Sequence, residues 1–278
     1  MRVNFVRSTK FVSIITRAYS LARPDKLLQI SLFRRAFVSA YFLYKNWFED
    51  PFWELIQRNP ELFQNGNVLD VGANIGYTAR LFARGMKAGS KVYAFEPDQL
   101  SFGLLGEVVH RKNLMEAIEV MNVAVGSSDG HVEFWHNKKH SADHRVVTER
   151  FRSHVLDDAN ISTVPLTTID TFVRNRNLQN ISFIKIDVQG YELAVCQGMR
   201  RTLERFPKLC VCLEYSPDAM LELGFEPRAL LDFFRTRGYQ LYTLTTGDPK
   251  LLSDDALIQG LLKDIGYVDL LCSKRDLA

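Results

Sequence analysis

The chain has 278 residues, 46% of them hydrophobic and 24% charged, with a formal net charge of +3. That length buries a full core and suits one α/β domain plus an extension. The near-neutral balance excludes a chain that is basic throughout and built for nucleic acid, and there are no repeats or low-complexity tracts.

Charge is nevertheless uneven. Residues 1–50 hold nine Lys/Arg against three acids, a net +6, which leaves −3 for the rest. This segment is expected to be helical over Phe11–Leu21 and Lys26–Tyr44, with a further helix over Pro51–Gln57. Arg34 and Arg35 stand beside Phe33, Phe37, Tyr41, Phe42 and Trp47, a combination that suits anionic lipid at the inner membrane face. The favoured reading is a helical cap packed on the following domain or on a second subunit. No signal peptide is visible, and the apolar run Ala36–Tyr44 is too short to span a bilayer. The expectation is a cytoplasmic protein with a basic, aromatic-rich helical extension over 1–64 and a ligand-binding domain over 65–278.

From residue 67 the pattern alternates strand and helix. Strands are expected at 67–72, 91–96, 181–187 and 209–214, with helices at 76–86, 98–110, 190–205 and 226–237. Between them, 118–125 reads as a strand, Ser127-Ser128-Asp129-Gly130 as a hairpin turn and 131–135 as its partner. Val164–Val173 mixes a short strand with the start of a helix. Tyr239–Thr243 and Tyr267–Cys272 read as a closing antiparallel pair. The order implies an α/β fold with a mostly parallel sheet of seven strands and helices on both faces. Cys196, Cys210, Cys212 and Cys272 read as buried small hydrophobes of a reduced protein, with no second pair to complete a metal site.

Asn67-Val68-Leu69-Asp70-Val71-Gly72-Ala73-Asn74-Ile75-Gly76 is an apolar run ending in a glycine turn that flows into a helix, as in nucleotide-binding folds. The second strand ends at Glu96-Pro97, and a carboxylate there can accept from both hydroxyls of an adenosine ribose. A dinucleotide fold prefers G-x-G-x-x-G. Here the loop is Asp70-x-Gly72-x-x-x-Gly76, and its leading carboxylate repels a pyrophosphate but suits an ammonium. S-adenosylmethionine offers an ammonium, a sulfonium and a ribose without phosphate. A nicotinamide-dependent oxidoreductase fits the loop less well.

Ligands of such sheets bind at the carboxyl ends of the strands, which places Asp70, Gly72, Glu96, Ala124, Asp187 and Glu214 on one rim. Asp187 ends a buried strand just before Gly190 opens a helix. It suits a general base, a cation ligand or a substrate clamp, and the competing role is a helix cap. Glu192 supports the same loop. His136, His140 and His144 are spaced by four, but their context is loop, so a histidine metal site is not expected. His144, oriented by Asp143 or a neighbour, is a candidate for taking a proton from a hydroxyl, and the competing reading is a solvated loop histidine.

Together these residues resemble the FkbM family of S-adenosylmethionine-dependent methyltransferases. The likeness rests on Val68–Tyr77, Tyr93–Pro97, Ala124-Val125-Gly126 before Asp129-Gly130, Leu166-Thr167-Thr168-Ile169-Asp170 and Ile184–Glu192. It covers about residues 65–245, and Gln189 stands where the family usually has Glu. The resemblance implies a Rossmann-like class I methyltransferase fold and O-methylation of a hydroxyl on a sugar, glycan or small metabolite. The donor would lie against Asp70, Gly72, Ala73, Asn74, Gly76, Glu96, Pro97 and Ala124, with Asp187 or His144 removing the hydroxyl proton. No Asn/Asp-Pro-Pro-aromatic loop for amino methylation follows the fourth strand, and no Pro-Cys nucleophile is present. No metal is assigned, and a divalent cation stays possible without support from any motif. Self-association and a non-catalytic binding protein of the same fold stay open.

Overall fold

The computed structural model describes residues 38–43, 45, 51–137, 143–153, 160–245, 247–254, 258, 260–263 and 266–277. The chain divides into two compact units, Met1–Asp50 and Pro51–Ala278. In the first, residues 38–43 are helical, within the span expected for the second helix. The Phe11–Leu21 helix and the Arg34-Arg35 surface lie outside the described residues.

The larger unit begins earlier than the expected 64/65 boundary, because helix α1 (Phe52–Arg58) belongs to it. Phe52 meets Phe82 edge-on at 5.4 Å, and Phe63 packs on Phe82 and Phe183 at 5.6 and 4.6 Å. Burying these rings ties 51–64 to the central sheet.

Strands β1 (Asn67–Val71), β2 (Val92–Phe95), β3 (Ile118–Met121), β8 (Ile181–Ile186) and β9 (Cys210–Tyr215) run parallel in the order β3-β2-β1-β8-β9. Strand β12 (Val268–Ser273) pairs antiparallel with β9 and with β10 (Gln240–Leu244), which is the closing pair expected from the sequence. A short strand β11 (Pro249–Leu251) adds to β10, so among the described residues the sheet has eight strands instead of seven. Every residue of β2 and β8 is buried, as both faces of a covered parallel sheet require. Helices α2 (Tyr77–Gly85) and α3 (Gln99–Arg111) follow β1 and β2.

The hairpin expected around Asp129-Gly130 does not form. The expected strand 118–125 breaks at Asn122-Val123, where the Asn122 amide donates to the carbonyls of Glu96 and Pro97. Beyond it, β4 (Ala124–Val125) and β5 (Gly130–Trp135) both pair with β7 (Ile161–Thr167), and β5 also pairs with β6 (Arg145–Val146). Asp129 serves instead as a clamp, accepting from Thr167, Thr168 and Thr171. Helix α4 (Glu149–Arg152) follows β6, and α5 (Ile169–Asn175) follows β7.

The single helix expected over 190–205 is two, α6 (Glu192–Gln197) and α7 (Arg200–Arg205). A Cβ on Gly198 would lie 2.0 Å from the Gly126 carbonyl oxygen, so the helix breaks where the second sheet presses on it. Asp170 rebuilds the lost helix start by accepting from the Arg201 and Thr202 amides. Helices α8 (Pro217–Glu222) and α9 (Pro227–Arg235) follow β9. All four cysteines are buried and free. Among the described residues, no helix is long and apolar enough to cross a membrane.

Candidate active site

The rim is built where β1, β2 and β8 end side by side. Gly72 N donates to the Phe95 carbonyl at 3.1 Å, and Asp187 N donates to the Val71 carbonyl at 3.0 Å. These backbone bonds bring the Gly72 loop, Glu96 and Asp187 to one place. A Cβ on Gly72 would stand 1.9 Å from the Asp187 carbonyl oxygen, and φ there is +78°. The glycine is therefore required by the neighbouring strand tip as well as by the turn. Asn74, also left-handed at φ 49°, points its backbone N–H at Glu96 Oε2 over 2.8 Å.

Glu96 is held by two backbone donors, since Oε1 accepts from Asp98 N at 2.9 Å. Burial pushes its carboxyl up from 4.5 to about 8, with those two N–H groups pulling the other way. Asp70 is fully buried on the opposite side of the loop. Its Oδ2 accepts from Thr78 Oγ1 at 2.7 Å. Its Oδ1 has no hydrogen-bond partner among the described residues, and Lys185 Nζ stands 3.7 Å away. Burial raises the Asp70 carboxyl, against the pull of Lys185 and Thr78.

Lys185 pairs with Asp70 across β8 and β1, a register that puts both side chains on one face of the sheet. Its ammonium lies 3.2 Å from Asp187 Oδ2 and 3.4 Å from the Gly72 carbonyl, so it joins the glycine loop to the acid beside it. Asp187 Oδ1 accepts from Gln189 Nε2 at 3.0 Å, and the same amide reaches Glu214 Oε1 at 3.4 Å. Glu192 Oε1 accepts from Val188 N and Gly190 N and so shapes the loop after Asp187. Burial lifts Glu192 to about 7 and Glu214 well above the carboxylate range, Asp187 adding to both.

His144 lies elsewhere on the rim. Its Nδ1 accepts from Asn137 N at 2.9 Å, so in the neutral ring the proton sits on Nε2, which is 3.7 Å from Asp98 Oδ2. His136 Nδ1 meets Asp98 Oδ1 at 2.7 Å, and its Nε2 meets Ser162 Oγ at 2.7 Å. The Asp98 carboxylate also caps α3 through Ser101 N at 2.8 Å. Burial alone would raise Asp98, but His136, His144 and Ser101 outweigh it and hold the carboxyl at about 2. Burial lowers His144 despite Asp98 beside it.

The potential ligand atoms of Asp98, His136 and His144 lie within 4.8 Å of one another. A metal on His144 Nε2 would need the other ring nitrogen to donate, whereas Nδ1 accepts from a backbone N–H. The donor set therefore describes two imidazoles on one carboxylate and does not suit a cation. The proton-accepting role expected of His144 meets the same obstacle, because neither nitrogen offers a lone pair to a substrate in this arrangement. Of the expected histidines, His140 lies outside the described residues.

The remaining expected positions fall as follows. Ala73 N donates to the Phe95 carbonyl at 3.0 Å, Gly76 opens α2, and Pro97 follows Glu96 with its carbonyl held by Asn122. Ala124 is buried in the second sheet with Phe134, Val146 and Leu166. Sequence reasoning did not single out Lys185 or Asp98, and it weighed His136 only within a histidine metal triad. For Lys185 the signal was present: a lysine inside the buried run Phe183–Ile186, in register with Asp70.

An open parallel sheet closed by an antiparallel strand inserted beside its edge, with acids at the tips of β1, β2 and β8, defines a Rossmann-like methyltransferase fold. The chain belongs to the FkbM methyltransferase family: the profile described as the methyltransferase FkbM domain matches residues 70–241. Relatives include the 2-O-methyltransferase NoeI of Sinorhizobium fredii, 24% identical over 69% of this chain and 78% of that protein. The methyltransferase sdnD of Sordaria araneosa is 23% identical over 66% of this chain and 77% of its own length. The crystal structure of a methyltransferase FkbM from Methylobacillus flagellatus superposes with a TM-score of 0.45 at 18% identity. That match covers 76% of this chain and 43% of the other.

Proposed function

We propose that this methyltransferase takes its methyl group from S-adenosylmethionine and places it on a hydroxyl of a sugar, glycan or small metabolite. The observation that carries this reading is the Gly72 loop set between the Glu96 and Asp187 carboxylates, with Lys185 tying that loop to Asp187. The rim offers carboxylates and backbone carbonyls to a ligand, which suits an ammonium and a sulfonium and opposes a pyrophosphate. Glu96 is the group that fits a ribose: its two oxygens, held by N–H donors, keep lone pairs for two hydroxyls. The name of one relative, a 2-O-methyltransferase, supports an oxygen acceptor.

When bound, the donor supplies an electrophilic methyl on a sulfonium and leaves as a neutral thioether. The chain's own work is positional and protonic. Asp187, with a side chain 34% exposed, is the rim acid within reach of an incoming hydroxyl. Lys185 and Gln189 hold its two oxygens, and a carboxylate so oriented takes the hydroxyl proton as the new C–O bond forms. Alignment of acceptor oxygen and methyl in one line contributes much of the rate in such displacements.

The test begins with calorimetric titration by S-adenosylhomocysteine and by NAD. Binding of the first and not the second is expected, and the reverse would overturn the donor assignment. Incubation with methyl-labelled donor and a mixture of free sugars and oligosaccharides then reads the acceptor class. Donor binding with no label transferred to any such acceptor would point to a non-catalytic role.

A further inference from the structure

We propose that Gln189 is a positioning residue whose single amide clamps the Asp187 and Glu214 carboxylates and fixes the direction in which Asp187 faces the cleft. The amide nitrogen lies 3.0 Å from Asp187 Oδ1 and 3.4 Å from Glu214 Oε1. The amide nitrogen is the atom that faces both acids, so its two N–H groups can serve Asp187 and Glu214 at once. With Lys185 on Oδ2, Asp187 is gripped through both oxygens and cannot rotate freely. The backbone supports the same purpose. Gln189 sits at φ 55°, a left-handed conformation that a long side chain rarely adopts, and this places its amide between the ends of β8 and β9.

The side chain at this position also sets the local charge. Asp187 is faced by Lys185 on β8, Glu214 on β9, Glu192 on α6 and Asp70 on β1, and Asp269 on β12 faces Glu214. A neutral donor at 189 relieves repulsion between two of these acids. A Glu at this position would instead add a further carboxylate and require a shared proton or another cation. In this chain the amide adds a hydrogen bond to each of two acids without adding charge.

The functional meaning of this clamp rests on the reading of Asp187 as the proton acceptor, but its test does not. Carbon-13 NMR of the unliganded protein, labelled at aspartate side-chain carboxyl carbons, follows the Asp187 titration directly, with Asp187→Asn giving the assignment. Gln189→Glu is expected to move the Asp187 midpoint upward by about one pH unit or more, and Gln189→Met by less in the same direction. Midpoints unchanged in both variants would overturn the clamp. Should Gln189→Glu fail to fold, Gln189→Met alone decides, an unchanged midpoint again overturning it. In parallel, Asp187→Asn is assayed for transfer of labelled methyl to the sugar mixture. Full transfer there removes Asp187 as the base while leaving the clamp to stand or fall by its own titration.

Discussion

The Asp187 carbonyl oxygen occupies the space that a side chain on Gly72 would need, 1.9 Å from the position of its Cβ. Two tips of the sheet are thereby in direct contact, one carrying the glycine loop and the other the Asp187 carboxylate. Gly72→Ala must push β8 away and hold alanine at a left-handed φ. The backbone conformation alone costs about 1–3 kcal/mol, which lowers the melting temperature by roughly 5 °C. Thermal unfolding measures this, and a variant that melts with the wild type would show that the contact is not a constraint.

Glu96 gives a pH dependence with a definite sign. Its carboxyl is raised from 4.5 to about 8 in the folded protein, so folding favours the protonated form. The stability it contributes is complete below about pH 4.5 and is lost as pH rises through about 8. Ribose binding favours the ionised form, which can accept from both hydroxyls. Affinity for adenosine, which has no group of its own titrating near neutrality, is therefore expected to rise toward pH 8 by up to about tenfold per unit. Calorimetry across this range checks it, and Glu96→Gln should bind weakly with a flat profile. A flat profile in the wild type would remove Glu96 as the ribose acceptor.

The Asp98 cluster behaves oppositely. Its carboxyl is depressed to about 2, so its contribution is present above the ordinary 3.8 and fades as pH falls through about 2. Asp98→Asn is expected to loosen β5 and the start of α3 at neutral pH, seen as faster amide exchange over 130–135 and 99–103. His144→Ala is expected to act in the same direction and to leave the pH profile of methyl transfer unchanged. Loss of the acidic limb in that variant would return His144 to the role of base.

Much of the fold is legible because burial of the central strands writes itself in their composition. The apolar runs at 67–71, 92–95 and 181–186 allow one reading, with Asp70 one residue before the end of the first and Glu96 and Asp187 directly after the other two. The failures share a cause. Asp129-Gly130 has the chemistry of a hairpin turn, but Asp129 accepts from three threonines distant in sequence, and the strands on either side pair with β7. Gly198 interrupts a helical pattern only because Gly126 approaches it from the second sheet. The loop context of His144 likewise gave no sign that Asn137 donates to its Nδ1. Tertiary contacts decided these cases, and local spacing carries no trace of them.

The central claim is that a hydroxyl gives its proton to Asp187 while its oxygen takes a methyl group. It is tested most directly by mass spectrometry of a sugar and oligosaccharide mixture incubated with trideuteromethyl-labelled S-adenosylmethionine. The account predicts a trideuteromethyl ether formed by the wild type and reduced about a hundredfold or more by Asp187→Asn, with adenosine affinity retained. Label found on nitrogen or carbon, or ether formation undiminished in Asp187→Asn, would contradict it.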